Sequence, residues 1–143
     1  MKISASIYSN KKKSLQSLIK ELDQLKIDMF HVDFNDKKIN IEKIKNDIIE
    51  IRKISKIPID LHIISKTPSL YDAFLKEYKI EFVTYQEEDI IEKFTIPKIK
   101  ETSFGISFVS KTRIENFEKY FNACDFVLLM TTIPGESGGK FNS

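Results

Sequence analysis

Apolar runs of strand length alternate with helical patterns along the whole sequence. The runs predict six β-strands whose first residues recur every 22 to 29 positions, at residues 2–9, 28–34, 57–64, 80–86, 103–109 and 125–132. This spacing is typical of repeated βα units joined by short connections. We therefore expect a protein in which each strand is followed by a helix or a helix-like connection.

Apolar residues between the predicted strands fall on single helical faces. In the first interval they stand at offsets of 0, 3, 4, 7 and 10, which makes one stripe on a helix. Three more intervals show such a stripe, so the four stripes are Leu15, Leu18, Ile19, Leu22 and Leu25; Ile41, Ile44, Ile48, Ile51 and Ile54; Leu70, Ala73, Phe74 and Tyr78; and Ile114, Phe117, Tyr120 and Phe121. The interval 87–101 lacks a clear stripe, and Pro97 limits any helix there.

The strict alternation of strands and helices predicts a parallel sheet with right-handed crossovers. An open, doubly wound sheet and a closed barrel both satisfy this order. Strands of an open sheet tend to be continuously apolar. These strands instead carry polar residues on one face near their carboxyl ends, where a barrel has its active site. The pattern favours an α/β fold of the TIM-type (β/α) barrel, with about six of the eight βα units present in one domain, residues 1–143.

Composition excludes several other classes of protein. Hydrophobic residues make up 41% of the chain and charged residues 31%, as in ordinary globular proteins. A net charge of only +2 argues against a nucleic-acid partner, and no stretch approaches the 18 apolar residues of a membrane span. Cys124 is the single cysteine, so no internal disulfide forms, and the N-terminal residues do not resemble a signal peptide. These features indicate a cytoplasmic protein.

Both histidines of the sequence lie in predicted strands beside an aspartate. Because side chains alternate along a strand, His31 and Asp33 share one face of strand two, and Asp60 and His62 share one face of strand three. If these strands are neighbours, His31, Asp33 and His62 converge. Two imidazoles and a carboxylate suit a divalent transition metal such as Zn, Fe, Mn or Co. The alternative is that each histidine is an ordinary core or rim residue.

Two weaker patterns lie at the ends of the chain. Ser4 and Ser6 share a face of strand one, where their hydroxyls could hold a sugar hydroxyl or bond to the backbone. After strand six, a glycine-rich segment could bring backbone N–H groups close to a phosphate, or it could be a flexible turn or tail. The basic run of Lys11, Lys12 and Lys13 is typical of a solvent-exposed segment at the start of a helix.

In chain order these residues resemble the ribulose-phosphate 3-epimerase family. The resemblance rests on residues 2–7, His31-Val32-Asp33, Asp60-Leu61-His62 and the segment from Met130 to Phe141. It implies a TIM barrel that converts ribulose 5-phosphate to xylulose 5-phosphate by proton abstraction and return through an enediolate. It also implies a metal on His31, Asp33 and His62, catalysis by Asp33, and a phosphorylated sugar held by Ser6, Met130, Gly135, Glu136, Ser137 and Gly138.

The sequence also departs from this family pattern. The loop after Asp33 is shorter, Tyr85 stands where the family has a histidine on strand four, and Glu136 and Ser137 replace a phenylalanine and a glycine. The family's second catalytic aspartate, on strand seven, has no counterpart in these 143 residues. We expect that the 143-residue chain alone does not catalyse epimerisation and that it forms homo-oligomers or aggregates. The alternatives are a non-catalytic barrel remnant that binds a phosphorylated ligand or a protein partner, and an epimerase for a different sugar phosphate.

Overall fold

Six parallel strands form one sheet in the order of the sequence. The computed structural model describes residues 1–135. Its strands are β1 (Ser4–Ser6), β2 (Met29–Asn35), β3 (Ile59–Ile64), β4 (Phe82–Gln86), β5 (Ser103–Val109) and β6 (Phe126–Met130). Each strand pairs with the next one, so that β1 and β6 are the outer strands of the described part.

Side chains of alternate strands meet on one face of this sheet, which shows that the sheet is curled. Ser4 Oγ of β1 donates to Asp60 Oδ2 of β3 at 2.7 Å, and His62 of β3 contacts Ser107 Oγ of β5 at 3.0 Å. Strands two positions apart are separated by roughly 9–10 Å in the sheet, so these contacts require a concave interior. The result is an incomplete TIM-type barrel, as the sequence predicted.

Three α-helices connect the first four strands, at α1 (Leu15–Gln24), α2 (Ile41–Ile54) and α3 (Asp72–Tyr78). The Ser14 side chain caps α1 by accepting from the Ser17 N–H, and Asn40 caps α2 by accepting from the Glu42 N–H at 2.9 Å. Short 3-10 turns lie at Pro68–Tyr71, Glu87–Asp89 and Ile114–Phe117. Within residues 1–135, no helix has the length and apolar character needed to cross a membrane.

The apolar core lies between the convex face of the sheet and the helices. On β2, Phe30, Val32 and Phe34 are buried there, together with Ile44 and Ile48 of α2. Burial of each such side chain contributes about 1.5–3 kcal/mol. The remaining side chains of β2 therefore face the barrel interior, where the predicted polar residues collect.

The last of the four predicted stripes, from Ile114 to Phe121, does not form an α-helix, so that prediction is wrong. Its residues make a 3-10 turn at Ile114–Phe117, and the Tyr120 N–H then donates to the Phe117 carbonyl at 2.7 Å. Aromatic residues and asparagine are weak helix formers, and so short a segment does not recover the cost of helix nucleation. Phe117 and Tyr120 are nevertheless buried, so the stripe did identify core positions.

Strand β1 is also shorter than the predicted residues 2–9. Beyond Ser6 the chain turns, because the Tyr8 N–H donates to Ser6 Oγ at 3.3 Å and Ser9 Oγ donates to the Ser6 carbonyl at 2.9 Å. Such bonds between serine side chains and nearby backbone groups compete with strand pairing. The turn brings Tyr8 and Ser9 to the carboxyl end of the sheet.

Candidate metal centre

Strands β2 and β3 place the two histidine–aspartate patterns side by side. The strand register pairs His31 with Asp60 and Asp33 with His62. Side-chain ligand atoms of His31, Asp33 and His62 all lie within 4.8 Å of one another. His31 Nε2 and His62 Nδ1 are each 3.3 Å from the same atom, Asp33 Oδ1. The structure thus brings together the three residues that the sequence singled out.

A hydrogen bond to Asp60 fixes the orientation of His31. His31 Nδ1 lies 2.8 Å from Asp60 Oδ2, which also accepts from Ser4 Oγ. Because an ionised carboxylate can only accept, Nδ1 carries a proton and donates it to Asp60. This bond leaves Nε2 of His31 turned towards Asp33, as expected for an imidazole that ligates a metal through Nε2.

His62 is oriented in the same way by groups on β4 and β5. Its Nε2 lies 2.9 Å from Gln86 Oε1 and 3.0 Å from Ser107 Oγ. Since an amide oxygen only accepts, Nε2 donates to Gln86 and the lone pair is on Nδ1. Nδ1 is buried and forms no hydrogen bond with any described residue, although Asp33 Oδ1 is 3.3 Å away.

A buried nitrogen without a partner is costly, and a bound cation at this point would satisfy it. Nε2 of His31, Oδ1 of Asp33 and Nδ1 of His62 surround that point. Nitrogen and carboxylate ligands of this kind suit zinc and other first-row transition metals. The residues present therefore fit a divalent cation.

Opposing effects set the charges of this cluster. Burial alone would lower the pKa of His31, but hydrogen bonds to Asp33 and Asp60 and their negative charges outweigh it and raise the pKa to about 10. Burial would raise the pKa of Asp33, but the hydrogen bond from His31 and the positive charge of that imidazolium outweigh it and hold that pKa well below its usual range. At neutral pH the cluster therefore has an ionised Asp33, and a cation that binds displaces a proton from His31.

A cavity of about 450 Å³ opens at the carboxyl ends of β1 and β2. Its volume falls within the range of small-molecule sites, about 300–1,000 Å³. Asp33 is the candidate ligand that borders it, and the full lining comprises Tyr8, Ser9, Lys11, Asp33, Asn35, Lys38, Ile39 and Gly135. A molecule in this cavity would therefore contact the carboxylate at one end of the metal cluster.

The predicted substrate-binding residues take different positions. Ser6 lies beside His31 in the register of β1 and β2, and Gly135 lines the cavity with a left-handed φ of 73°. Met130 is the last residue of β6 and pairs with Val109. The other three predicted residues lie outside the described part of the chain; they are Glu136, Ser137 and Gly138.

Sequence reasoning missed Gln86 and Ser107 as partners of His62. The signal was present, because alternation along β4 puts Gln86 on the same face as Thr84, which pairs with His62. Tyr85, which the sequence resemblance matched to a histidine of the family, faces the other way. Its ring packs against Phe94 at a centroid distance of 4.7 Å, within the core.

The fold and the cluster together define a class: a β/α-barrel protein with a candidate cation site at the carboxyl ends of its strands. Within that class, the chain belongs to the ribulose-phosphate 3-epimerase family, whose sequence model matches residues 2–143. The match covers almost the whole sequence and agrees with the family that the motifs resembled.

Three curated relatives, each named ribulose-phosphate 3-epimerase, are similar to this chain. The protein of Methanocaldococcus jannaschii is 29% identical over 99% of the chain and 62% of its own length. That of Bacillus subtilis is 30% identical over 99% of the chain and 67% of its own length. That of Mycoplasma genitalium is 21% identical over 89% of the chain and 64% of its own length. The chain thus spans about two thirds of the length of these relatives.

Proposed function

We propose that this chain acts in a metal-dependent epimerase that interconverts ribulose 5-phosphate and xylulose 5-phosphate. The observation that carries the proposal is the convergence of His31, Asp33 and His62 beside a cavity at the carboxyl ends of the strands. Family membership supports it, and so do the names of the three relatives. A phosphorylated ketose is the substrate class that follows.

His31, Asp33 and His62 would hold the cation in this proposal. A bound divalent cation would supply electrophilic stabilisation of the negative charge that develops on the substrate oxygens as a C–H proton leaves. Asp60 and Gln86 keep the two imidazoles in the tautomers that direct Nε2 of His31 and Nδ1 of His62 to the cluster. Zn, Fe, Mn and Co all match this donor set.

Asp33 is the proposed base. It borders the cavity, and its lowered pKa keeps it ionised at neutral pH. Oδ1 faces the two imidazoles, while Oδ2 makes no hydrogen bond among residues 1–135. Oδ2 is therefore the oxygen available to a proton of a substrate in the cavity.

Solvent-deuterium incorporation into ribulose 5-phosphate tests the proposal. Exchange of the proton needs one base, whereas inversion needs a second acid on the opposite face of the substrate. We expect the zinc- or manganese-loaded protein to catalyse exchange, and Asp33→Asn to slow it by about 10². Asp89→Asn, which removes a carboxylate paired with Lys37 at the surface, serves as the matched control.

Two results would contradict the proposed function. One is exchange at the parental rate in Asp33→Asn, which would leave Asp33 with a structural role only. The other is a purified parent protein that retains no transition metal and gains none on dialysis against zinc. That second result would favour a non-catalytic barrel remnant, which has little reason to keep a tight metal site.

We also propose a reducing, cytoplasmic location. Cys124 is the only cysteine in the sequence and carries a free thiol. Burial raises the pKa of this thiol, so it stays protonated and unreactive at neutral pH. Fractionation of cells that express the tagged protein would test the location, and recovery from an extracellular or membrane fraction would contradict it.

A further inference from the structure

We propose that Glu88, on the 3-10 turn after β4, is a positioning residue that selects the metal-binding tautomer of His62. It acts through Gln86, whose side-chain amide can present either its oxygen or its NH₂ group to the imidazole. The inference rests on the proposed metal-dependent function and deepens it, because it assigns a residue outside the ligand set that controls the cation site.

Glu88 fixes the orientation of the Gln86 amide. Gln86 Nε2 donates to Glu88 Oε2, while Gln86 Oε1 lies 2.9 Å from His62 Nε2. Because an ionised carboxylate only accepts, the NH₂ group must point to Glu88 and the amide oxygen to His62. The imidazole then donates from Nε2 and keeps its lone pair on Nδ1, the atom 3.3 Å from Asp33 Oδ1.

Ser107 also contacts His62 but cannot make this selection. Its hydroxyl lies 3.0 Å from His62 Nε2, 2.8 Å from Gln86 Oε1 and 3.1 Å from the Tyr85 carbonyl. Since a hydroxyl both donates and accepts, it accommodates either orientation of the amide. Gln86, Ser107 and His62 are at most 1% exposed, so a mismatched bond there would leave a buried polar group unsatisfied. The acceptor-only carboxylate of Glu88 therefore decides the orientation.

Two donors from the loop after β5 hold the Glu88 carboxylate in place. Glu88 Oε1 accepts from the Val109 N–H at 2.9 Å and from the Thr112 hydroxyl. Burial would raise the pKa of Glu88, but these hydrogen bonds and the one from Gln86 outweigh it and lower the pKa. The carboxylate is therefore ionised at neutral pH, and both of its oxygens accept.

Glu88→Gln should invert this chain of hydrogen bonds. The Val109 N–H requires an oxygen, so the new amide would keep its oxygen there and turn its NH₂ group towards Gln86. Gln86 would then rotate to offer its oxygen to that NH₂ group and its own NH₂ group to His62 Nε2. Because Nε2 must now accept, the imidazole proton moves to Nδ1 and occupies the lone pair that a cation needs.

Imidazole NMR and zinc binding follow the inversion separately. Long-range ¹H–¹⁵N correlation spectra of the protein in EDTA show which His62 nitrogen carries the proton, and the spectrum of His62→Gln assigns the signals. We expect the proton on Nε2 in the parent and on Nδ1 in Glu88→Gln. Competition with a zinc chelator should show zinc affinity weakened by about 10-fold or more in Glu88→Gln, the usual effect of losing the partner of a metal-binding histidine.

A control variant and a rescue variant sharpen the test. Glu92→Gln is the matched control, because Glu92 also accepts from a backbone N–H and a hydroxyl, both of Ser69, at 3.0 and 2.9 Å. It should keep the parental tautomer and zinc affinity. Adding Gln86→Glu to Glu88→Gln places a carboxylate between the NH₂ group at position 88 and His62, where it accepts from both. This double variant should recover most of the zinc affinity.

A His62 proton that stays on Nε2 in Glu88→Gln would overturn the inference, even with weaker zinc binding, because the loss would then come from the loop after β5. An equal loss in Glu92→Gln, or no recovery in the double variant, would overturn it as well. The tautomer is measured without metal or turnover, so the proposed function fails separately. Inversion of the tautomer in a protein that exchanges no deuterium would leave Glu88 in its positioning role and remove the epimerase function.

Discussion

Asp60 and Gln86 decide which nitrogen each histidine presents to the metal cluster. Each accepts a hydrogen bond from the far nitrogen of one imidazole, at 2.8 Å for Asp60 and 2.9 Å for Gln86. Asp60 is itself fixed by Ser4. The directionality of these bonds follows from residue chemistry, because a carboxylate and an amide oxygen only accept. The geometry of the site therefore depends on five strands: β2 and β3 carry the candidate ligands, and β1, β4 and β5 carry the groups that orient them.

Replacing Asp60 should weaken metal binding without touching a ligand. Asp60→Asn keeps the size of the side chain but removes the charge that orients His31 and makes it a better ligand. Loss of such a partner typically costs about 10- to 100-fold in metal affinity. Competition with a zinc chelator measures the change independently of activity, and Asp89→Asn is the control. An unaltered zinc affinity in Asp60→Asn would show that His31 does not need this partner.

The raised pKa of His31 predicts how the stability of the metal-free protein depends on pH. A group with a higher pKa in the folded state than in the unfolded state stabilises the folded state when it is protonated. The full stabilisation is present at pH values below the unfolded-state pKa, and it is lost as the pH rises through the folded-state pKa. For His31 these values are 6.5 and about 10. Urea unfolding with EDTA present should show the stability advantage of the parent over His31→Gln shrinking from pH 6.5 to 10. An advantage that stays constant or grows over this range would contradict the assigned bonds to Asp33 and Asp60.

On the inner face of the sheet, β4, β5 and β6 pack closely around Gly105. A Cβ placed on Gly105 of β5 would lie 2.4 Å from the Phe126 ring of β6. Phe126 also meets Phe82 of β4, with ring centroids 6.4 Å apart. Only a residue without a side chain lets the three strands keep this contact inside the barrel.

Gly105→Ala should therefore destabilise the protein by about 1–3 kcal/mol, the usual cost of overpacking. Guanidinium unfolding gives the value. Combining Gly105→Ala with Phe126→Leu should recover part of the loss, because the smaller side chain leaves room for the new methyl group. If the double variant is as unstable as the sum of the two single variants, the ring contact is not the cause.

The sequence predicts features that depend on local side-chain alternation better than features that depend on packing between distant segments. Strand alternation has a fixed period of two, so β2 and β3 and their faces were correctly predicted from residues such as His31 and His62. The partnership of His62 with Gln86 and Ser107 was not predicted, because register between strands is set by packing of the whole sheet. The helix expected at Phe117 did not form: an i, i+3 spacing of apolar residues occurs in a 3-10 turn as well as in an α-helix, and this segment is too short and too poor in helix formers to favour the α-helix.

At the scale of the whole molecule, the outer strand β6 of the described sheet differs from the inner strand β2. The outward side chains of β2 are buried under helices, whereas Val127 and Leu129 on β6 are 48% and 52% exposed. Phe121 in the preceding turn is also exposed. An outer strand with an exposed apolar face offers both backbone groups and apolar surface to another molecule. The surface of β6 therefore favours self-association.

We predict that the 143-residue chain forms oligomers or aggregates through the outer face of β6. Changing Val127 and Leu129 together to threonine, a β-branched residue that strands favour, makes the face polar, so association should weaken. Leu70→Thr is the control, because Leu70 is 72% exposed but lies on a 3-10 turn away from β6. Sedimentation velocity over a range of concentrations should show association for the parent and for Leu70→Thr, and a shift to monomer for the double variant. A parent that sediments as a monomer at every concentration would show that this face does not pair. Oligomers that persist unchanged in the double variant would place the contact elsewhere on the molecule.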